Sequence, residues 1–299
     1  CAKEKVSLLR LNMSHIEPKQ LSKTINYIRK FNSRTPICID TEGAQIRTKI
    51  KKKIKLKKNE KFSISFKGDS ISLYPPEVLN ILKKSDLLLI GFDNLSAIVT
   101  KKLKDRLFLK TLTEGTLENN KGVHVKNRKI NLNYLTKKDI EAIEISKKER
   151  IKNYALSFTN SYKDIIKFKK ILNKENKIFK IETSNAVKNL DKIVRTGEKF
   201  LIDRGDLSKE IKIEKIPIYQ RKIINKVKKF RSKQVFVATN LLESMVKNIY
   251  PTRAEANDIF NCLEFGADGL VLAAETAIGN FPKESVLFLK KIISEFNKY

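Results

Sequence analysis

Short apolar runs alternate along this chain with longer stretches whose apolar residues recur at helical spacing, and this alternation constrains the fold more than any other feature. Strands separated by helices form parallel sheets, because a helix returns the chain to the edge at which the next parallel strand begins. The pattern therefore predicts parallel strands linked by helices. The predicted strands are residues 6–12, 36–40, 154–158, 178–181, 200–202, 235–238 and 269–272.

A barrel of such strands needs eight of them to close, since two unpaired strand edges would otherwise lie in apolar surroundings. Seven strands are predicted here, the first beginning at residue 6, and the chain begins with Cys1 rather than methionine. We therefore expect an α/β fold of the TIM (β/α)8 type whose first strand is missing from this sequence. Residues upstream of Cys1 are expected in the native gene product.

The segment between the second and third predicted strands differs in composition from the rest of the chain, with alternating lysine, isoleucine and serine, several glycines and two adjacent prolines. This composition predicts a small β-rich domain inserted into the barrel. We expect the first part of the barrel at residues 1–48, the inserted β-rich lid domain at 49–131, and the second part of the barrel at 132–299.

Two hairpins are expected inside the inserted domain. The basic run at 49–58 alternates with isoleucine and leucine, which predicts an exposed hairpin. Residues 86–90 and 95–100 are apolar and flank a turn-like segment at 91–94, which predicts a second hairpin. After the insertion, Thr136 fits the N-cap of a helix at which the barrel resumes.

Charge narrows the choice of partners. The chain has 63 Lys and Arg against 33 Asp and Glu, a net charge of +30 that attracts phosphorylated metabolites or nucleic acid. Most of the excess is lysine spread over every segment, so we interpret it as solvated surface and do not expect nucleic acid as a partner.

Long uncharged apolar stretches and a secretory leader are both absent, so we expect a cytoplasmic protein that does not bind membranes. The three cysteines form no CxxC pair and are interpreted as ordinary thiols.

Polar side chains follow most of the predicted strands. In barrels of this class the active site is built at the carboxyl ends of the strands, so these side chains predict a single site. In strand order they are Arg10, Asn12, Ser14 and His15; Asp40, Thr41 and Arg47; Lys180 and Glu182; Asp203, Arg204, Gly205 and Asp206; Thr239 and Asn240; and Glu275.

The chemistry of this set favours phosphoryl transfer. Glu182 and Asp206 are carboxylates that can share Mg²⁺ or Mn²⁺, which prefer oxygen ligands. Arg10, Arg47 and Lys180 are cations suited to phosphate. Phosphoryl transfer requires mainly positioning and neutralisation of phosphate charge, so a carboxylate-held metal with arginine and lysine is sufficient.

Each signal also has a plain structural alternative. Lys180 and Glu182 are two residues apart and share a strand face, as members of a surface ion pair would. Residues 204–206 fit a simple turn. Thr252 and Glu255 fit a capping box that begins a helix.

Taken together and in order, these segments resemble motifs of the pyruvate kinase family, and the resemblance spans nearly the whole chain. The matching segments are RLNMSH at 10–15, DTEGAQIRT at 40–48, NKGV at 120–123, KIE at 180–182, RGDL at 204–207, ATNLLESM at 238–245, PTRAE at 251–255 and ETA at 275–277.

The resemblance implies roles for the matching residues. Arg10 would bind the phosphate of phosphoenolpyruvate, and Lys180 would stabilise the phosphoryl group during transfer. Glu182 and Asp206 would bind Mg²⁺ or Mn²⁺. The Gly205 backbone NH and Thr239 would bind the substrate carboxylate, and Thr239 would also lie near the path of proton delivery. K⁺ would be bound by Asn12, Ser14, Asp40 and Thr41. The nucleotide would be bound by His15, Arg47 and Lys121.

The implied reaction is transfer of the phosphoryl group from phosphoenolpyruvate to ADP, giving ATP and pyruvate in glycolysis. The sequence departs from the family at several positions. Ala44-Gln45 replaces the family's Pro-Glu, which leaves the need for K⁺ open. Asp203 replaces a small residue, Asn240 replaces Gln, and Ala273-Ala274 replaces Ser-Gly. The inserted domain, which would form the lid, is also shorter than usual.

Three alternatives remain beside the kinase. One is a divergent, lyase-like enzyme that handles phosphoenolpyruvate or pyruvate, and the second is a catalytically impaired binding relic. The third is a nucleic-acid-binding role, which would rest on the net charge alone. The chain ends at Tyr299, just after the last predicted barrel helix, so the family's C-terminal regulatory domain is not expected. A homo-oligomer formed through the barrel is left open.

Overall fold

The computed structural model describes residues 6–66, 70–91, 95–126, 128 and 130–299. The chain divides into two compact units. The barrel unit contains the described residues up to Gly43 and those from Lys137 to Tyr299, and the inserted unit is Ala44–Thr136.

The strands and helices alternate in the barrel unit, whereas strands dominate the inserted unit. In chain order the strands are β1 (Leu9–Asn12), β2 (Ile37–Asp40), β3 (Ile46–Ile50), β4 (Ile54–Leu56), β5 (Lys61–Ser65), β6 (Ile71–Tyr74), β7 (Leu87–Ile90), β8 (Leu95–Lys102), β9 (Arg106–Thr111), β10 (Gly115–Leu117), β11 (Gly122–Val125), β12 (Asn153–Leu156), β13 (Asn176–Ile181), β14 (Lys199–Asp203), β15 (Gln234–Ala238) and β16 (Gly269–Val271).

Most of the helices lie in the barrel unit, and α2 alone among those described lies in the inserted unit. In chain order they are α1 (Pro18–Phe31), α2 (Val78–Ile81), α3 (Lys137–Lys148), α4 (Tyr162–Ile171), α5 (Ser184–Lys188), α6 (Leu190–Thr196), α7 (Arg204–Glu210), α8 (Ile216–Lys228), α9 (Arg253–Glu264), α10 (Ala274–Ala277) and α11 (Pro282–Phe296).

The barrel unit is built on one parallel sheet. Its strand order is β1-β2-β12-β13-β14-β15-β16, so each strand pairs with its neighbour along the unit, and the sheet curls as part of a (β/α)8-type barrel. The predicted fold class and all seven predicted strands are confirmed. Large aromatic side chains pack in its core: Phe179 lies 6.3 Å, centroid to centroid, from both Phe168, in an edge-to-face arrangement, and Phe200, in a tilted one.

The inserted unit contains an antiparallel sheet with the strand order β5-β9-β8-β7-β11-β3-β6 and a two-stranded sheet of β4 and β10. The hairpin predicted at 86–100 is confirmed, because β7 pairs antiparallel with β8; residues 92–94 of its turn lie outside the described residues. The hairpin predicted at 49–58 is wrong. β3 pairs with β6 and β11, whereas β4 pairs with β10, because strand partners are selected by packing across the sheet and not by local alternation.

Several local predictions can be compared with the structure. The capping box of Thr252 and Glu255 at the start of α9 is confirmed. Cys38 and Cys262 are buried free thiols, and burial raises the pKa of Cys262 to about 11; Cys1 lies outside the described residues. Within the described part of the chain, no helix has the length and apolar character needed to cross a membrane.

Candidate active site

The carboxyl ends of the parallel strands bring charged side chains together. Arg10 lies on β1, Asp40 ends β2, and Lys180 lies on β13. The Nη1 atom of Arg10 is 2.8 Å from Oδ2 of Asp40, and Nζ of Lys180 is 3.4 Å from the same oxygen. Residues 30 and 140 positions apart therefore meet at one edge of the sheet, as barrel architecture predicts.

Lys180 is the most densely paired cation of this cluster. Its Nζ lies 3.1 Å from Oε2 of Glu182 and 3.5 Å from Oδ2 of Asp203, and its side chain is only 5% exposed. Burial alone would lower the pKa of Lys180, but Asp40, Glu182 and Asp203 together raise it above its ordinary value. The ammonium group therefore keeps its charge at neutral pH inside the protein.

Ser157 is a member of the cluster that the sequence analysis missed. Its Oγ lies 3.1 Å from Nζ of Lys180 and donates a 3.1 Å hydrogen bond to Oδ1 of Asp40. The sequence offers a signal for it, because Ser157 lies near the end of the third predicted strand, 154–158. In the structure it directly follows β12.

Three carboxylates lie close enough to share a cation. One oxygen from each of Glu182, Asp203 and Asp206 falls within 4.8 Å of the other two. Oε1 of Glu182 accepts a 2.5 Å hydrogen bond from the Phe158 backbone NH. Its buried Oε2 has the ion pair with Lys180 but accepts no hydrogen bond from the described residues. A buried oxygen with this spare capacity, beside two further carboxylates, fits Mg²⁺ or Mn²⁺.

The electrostatics of these carboxylates reflect their crowding. Burial raises the pKa of Glu182 to about 8, against the opposing effect of Lys180 and with further raising by the neighbouring carboxylates. Burial would also raise the pKa of Asp203, but Lys180, Arg10 and a hydrogen bond from Thr239 bring it below its ordinary value. Asp206 is paired with Lys209, at 2.5 Å between Oδ1 and Nζ.

Thr239 and Gly205 meet beside the carboxylates. The hydroxyl of Thr239 donates a 2.8 Å hydrogen bond to Oδ1 of Asp203. A Cβ atom on Gly205 would lie only 2.8 Å from Cγ2 of Thr239, so glycine is required there by close approach. Thr239 itself has a φ of +75°, a conformation that β-branched residues rarely adopt. Strain of this kind is typical of functional sites.

The residues to which the family resemblance assigned K⁺ lie at the ends of β1 and β2, which are Asn12 and Asp40, and in the loops that follow, which contain Ser14 and Thr41. Oδ1 of Asn12 accepts a 2.9 Å hydrogen bond from the Ser14 backbone NH. Oγ1 of Thr41 accepts a 3.0 Å hydrogen bond from the Ser157 backbone NH. Ser14, Asp40 and Thr41 are all buried, so this part of the site is rich in buried oxygen atoms.

The loop after β2 is held by a buried carboxylate on the helix α3. The carboxylate of buried Asp139, on α3, accepts hydrogen bonds of 2.6 Å from the Glu42 NH and 3.0 Å from the Gly43 NH. Gly43 has a φ of +72°, and a Cβ there would lie 2.8 Å from Cβ of Ser157. The close packing of this loop therefore depends on Asp139 and Gly43 together.

The three residues assigned to the nucleotide lie in different units. His15 belongs to the barrel unit, whereas Arg47 and Lys121 belong to the inserted unit. Arg47 pairs in register with Gly122 across β3 and β11, which brings Arg47 and Lys121 close together. Nη1 of Arg47 donates a 3.2 Å hydrogen bond to the Asn120 carbonyl, and Nζ of Lys121 lies 3.0 Å from Oε2 of Glu118.

The fold and the site define a class of protein: a β/α barrel with a buried cluster of cations and carboxylates at the carboxyl ends of its strands. The particular family follows from comparison with known proteins. The family model described as the barrel domain of pyruvate kinase matches residues 2–286, and the chain belongs to the pyruvate kinase family.

Curated relatives agree with this assignment. A pyruvate kinase of Thermotoga maritima is 33% identical over 98% of this chain and 66% of its own length. A pyruvate kinase of Clostridium acetobutylicum is 33% identical over 96% of this chain and 64% of its own length. Pyruvate kinase isozyme G, chloroplastic, of Nicotiana tabacum is 31% identical over 94% of this chain and 52% of its own length. The chain thus spans about half to two thirds of the relatives it matches.

Proposed function

We propose that this protein transfers the phosphoryl group of phosphoenolpyruvate to ADP, giving pyruvate and ATP, the pyruvate kinase step of glycolysis. The observation that carries the proposal is the buried, charged Lys180 beside Arg10 at the carboxyl ends of the strands. Lys180 is buried and Arg10 is partly buried, and a phosphoryl group is an anion that both cations can bind.

Arg10 and Lys180 neutralise the charge of the phosphoryl group in this proposal. Both are already held in place, Arg10 by Asp40 at 2.8 Å and Lys180 by Asp40 and Ser157. Charges held before the substrate arrives need no reorganisation when charge develops in the transition state. Asp40 and Ser157 are thus positioning residues for the two cations.

Glu182 and Asp206 hold Mg²⁺ or Mn²⁺ in this proposal. When bound, the cation neutralises phosphate charge and polarises the substrate oxygens that bind to it. The support is the donor set, which consists of carboxylate oxygens within 4.8 Å of one another, together with the spare capacity of the buried Oε2 of Glu182. Lys209 pairs with Asp206 and fixes the orientation of that carboxylate.

The substrate carboxylate binds at the Gly205 backbone NH and at Thr239, and Thr239 also lies near the path by which the enolate receives its proton. The support is the contact between these two residues and the position of Thr239 beside Asp203. Arg204 donates hydrogen bonds to the Thr239 carbonyl oxygen, which holds the hydroxyl-bearing residue in its strained conformation.

The remaining roles follow the family resemblance. His15, Arg47 and Lys121 bind the nucleotide, and Asn12, Ser14, Asp40 and Thr41 bind K⁺. The buried oxygens of the second set support the K⁺ assignment. Ala44 and Gln45 stand where the family has Pro-Glu, so a direct comparison with and without K⁺ forms part of the test.

The test is ATP formation from ADP and phosphoenolpyruvate with Mg²⁺, measured with and without K⁺. The protein is compared with Lys180→Met, which keeps the length of the side chain and removes the ammonium, and with Lys222→Met on the exposed face of α8 as the matched control. We expect ATP from the protein and from the control but not from Lys180→Met. A folded protein that binds phosphoenolpyruvate and forms no ATP would refute the kinase. In that case, turnover of phosphoenolpyruvate or pyruvate without ADP would indicate the lyase-like enzyme, and binding alone would indicate the relic.

A further inference from the structure

Asp203 is the member of the carboxylate cluster that the family resemblance does not account for, because the family has a small residue at this position. It ends β14 and is 7% exposed. An added carboxylate in a buried cluster destabilises the protein unless a cation compensates it, so its presence needs a physical reason.

The two oxygens of Asp203 have separate surroundings. Oδ1 accepts hydrogen bonds from the Thr239 hydroxyl at 2.8 Å and from the Asp206 backbone NH at 3.4 Å. These two donors orient the carboxylate and leave Oδ2 turned toward Nζ of Lys180, 3.5 Å away. Asp203 is therefore held in position by its own loop and offers one oxygen to a cation.

Oδ2 of Asp203 and Oε2 of Glu182 converge on the same point. Both lie within 3.5 Å of Nζ of Lys180, and the Glu182 oxygen accepts no hydrogen bond from the described residues. The ammonium group marks a position where a cation is stabilised by both carboxylates. Oxygens on opposite sides of a Mg²⁺ ion lie about 4.2 Å apart, so three carboxylates within 4.8 Å of one another need only small side-chain adjustments to share it.

The charge balance of the cluster points the same way. Its carboxylates are Asp40, Glu182, Asp203 and Asp206, and its cations are Arg10, Lys180 and Lys209. The cluster therefore contains one carboxyl group more than it has cations. Without Asp203 the two numbers would be equal, and the attraction for a further cation would be weaker.

We propose that Asp203 is a third carboxylate ligand of the divalent cation, beside Glu182 and Asp206, and that it raises the affinity of this chain for Mn²⁺ or Mg²⁺. The inference rests on the proposed function, because it takes the metal site of that proposal as given. A further charged oxygen ligand raises affinity for a hard cation, and hard cations are the ones that carboxylates select.

The experiment is titration of the whole chain with Mn²⁺ alone, in the absence of phosphoenolpyruvate and nucleotide, with free Mn²⁺ counted by electron paramagnetic resonance. The variants are Asp203→Ala, which restores a small residue, and Asp203→Asn, which keeps the shape and the acceptor for Thr239. Asp191→Asn removes a carboxylate on α6, away from the cluster, and is the matched control. We expect Mn²⁺ affinity to fall about tenfold or more in both Asp203 variants and to stay unchanged in the control.

Equal Mn²⁺ affinity in the protein and in a folded Asp203→Asn would overturn the inference, whatever Asp203→Ala does. A Glu182→Gln variant separates this failure from that of the metal site itself. If Glu182→Gln loses Mn²⁺ binding while Asp203→Asn retains it, the proposed metal site is supported and the role of Asp203 is refuted. If Glu182→Gln also retains Mn²⁺ binding, the metal site and the role of Asp203 are both refuted. Loss of Mn²⁺ in the Asp203 variants supports the inference even where the ATP assay is negative.

Discussion

Arg204 holds Thr239 by its backbone: the Nε and Nη2 atoms of the guanidinium donate hydrogen bonds of 3.0 and 2.7 Å to the Thr239 carbonyl oxygen. Thr239 and Asn240 both have positive φ, so this loop is strained and needs external support. Arg204 in turn pairs with Asp258 on α9, at 2.6 Å. The outer helix thereby fixes the backbone of a residue whose side chain lies in the proposed active site.

Replacing Arg204 by Met should destabilise the protein and impair turnover together. The change leaves the carbonyl oxygens of Thr239 and Asn240 and the carboxylate of Asp258 without this donor, so we expect the free energy of unfolding to fall by about 3 kcal/mol. Release of the strained loop should also lower kcat more than it raises KM for phosphoenolpyruvate. Urea denaturation and steady-state kinetics measure the two effects. Arg231→Met, at an exposed loop position, is the control and should change neither. An Arg204→Met protein as stable as the control would contradict the role.

Gly205→Ala should be destabilising by about 1–3 kcal/mol, because the added methyl group would meet Cγ2 of Thr239 at 2.8 Å. Thr239→Ser removes Cγ2 and keeps the hydroxyl. In that background Gly205→Ala should be neutral or stabilising, since alanine is favoured over glycine inside a helix. A double-mutant cycle of urea denaturation measures the coupling, and simple additivity of the two changes would contradict the predicted clash.

Asp139→Ala should cost about 3 kcal/mol of stability, because it leaves the buried NH groups of Glu42 and Gly43 without an acceptor. The matched control is Glu141→Ala, which removes an exposed carboxylate from the same helix. Thermal denaturation of the three proteins at one pH measures the difference. Equal melting temperatures for the two variants would show that Asp139 does not hold the loop.

The inserted unit offers a test by pH. Asp86 is buried and pairs with Arg128, with Oδ1 and Oδ2 accepting hydrogen bonds of 2.6 and 2.7 Å. Burial alone would raise the pKa of Asp86, but the hydrogen bonds from Arg128 and from the Lys83 NH bring it below its ordinary value. A carboxylate with a depressed pKa stabilises the fold above its unfolded pKa of about 3.9, and this stabilisation is lost as the pH falls through the folded pKa.

Arg128→Gln should therefore lower the free energy of unfolding by about 2 kcal/mol at pH 7, and the difference from the unchanged protein should shrink as the pH falls below about 4. Lys84→Gln removes the same charge at an exposed position and is the control. Urea denaturation at pH 7 and at pH 3 measures both. A difference that is the same at the two pH values would exclude Asp86 as its source.

Strand positions could be predicted from the sequence because a parallel strand that is covered on both faces appears there as a continuous run of apolar residues. The predicted strand at 178–181 lies within Asn176–Ile181, and the one at 200–202 lies within Lys199–Asp203. Once the strands are parallel, their carboxyl ends must share an edge, which is why Arg10 and Lys180 could be expected together. The predicted assignment of each residue to a substrate or metal stays a prediction, as do the limits 49–131 for the inserted domain.

Pairwise contacts between distant segments could not be predicted from the sequence. The sequence carries no sign that β4 pairs with β10 rather than with β3, because any alternating strand of the inserted unit presents a similar edge. Ser157 has no charge and resembles many other serines, so only its place beside Asp40 and Lys180 reveals it. Asp139 looked like an ordinary first-turn carboxylate, and its hydrogen bonds to residues nearly a hundred positions away depend on the folded barrel.

The close approach of Gly205 to Thr239 also restricts the order in which the two residues can be replaced during evolution. Replacing the glycine first creates a steric clash with Cγ2 of Thr239, whereas replacing the threonine by serine first avoids the clash. Descendants carrying alanine at 205 should therefore carry serine or a smaller residue at 239. The order of substitutions available to the candidate active site is therefore more restricted than its chemistry alone would require.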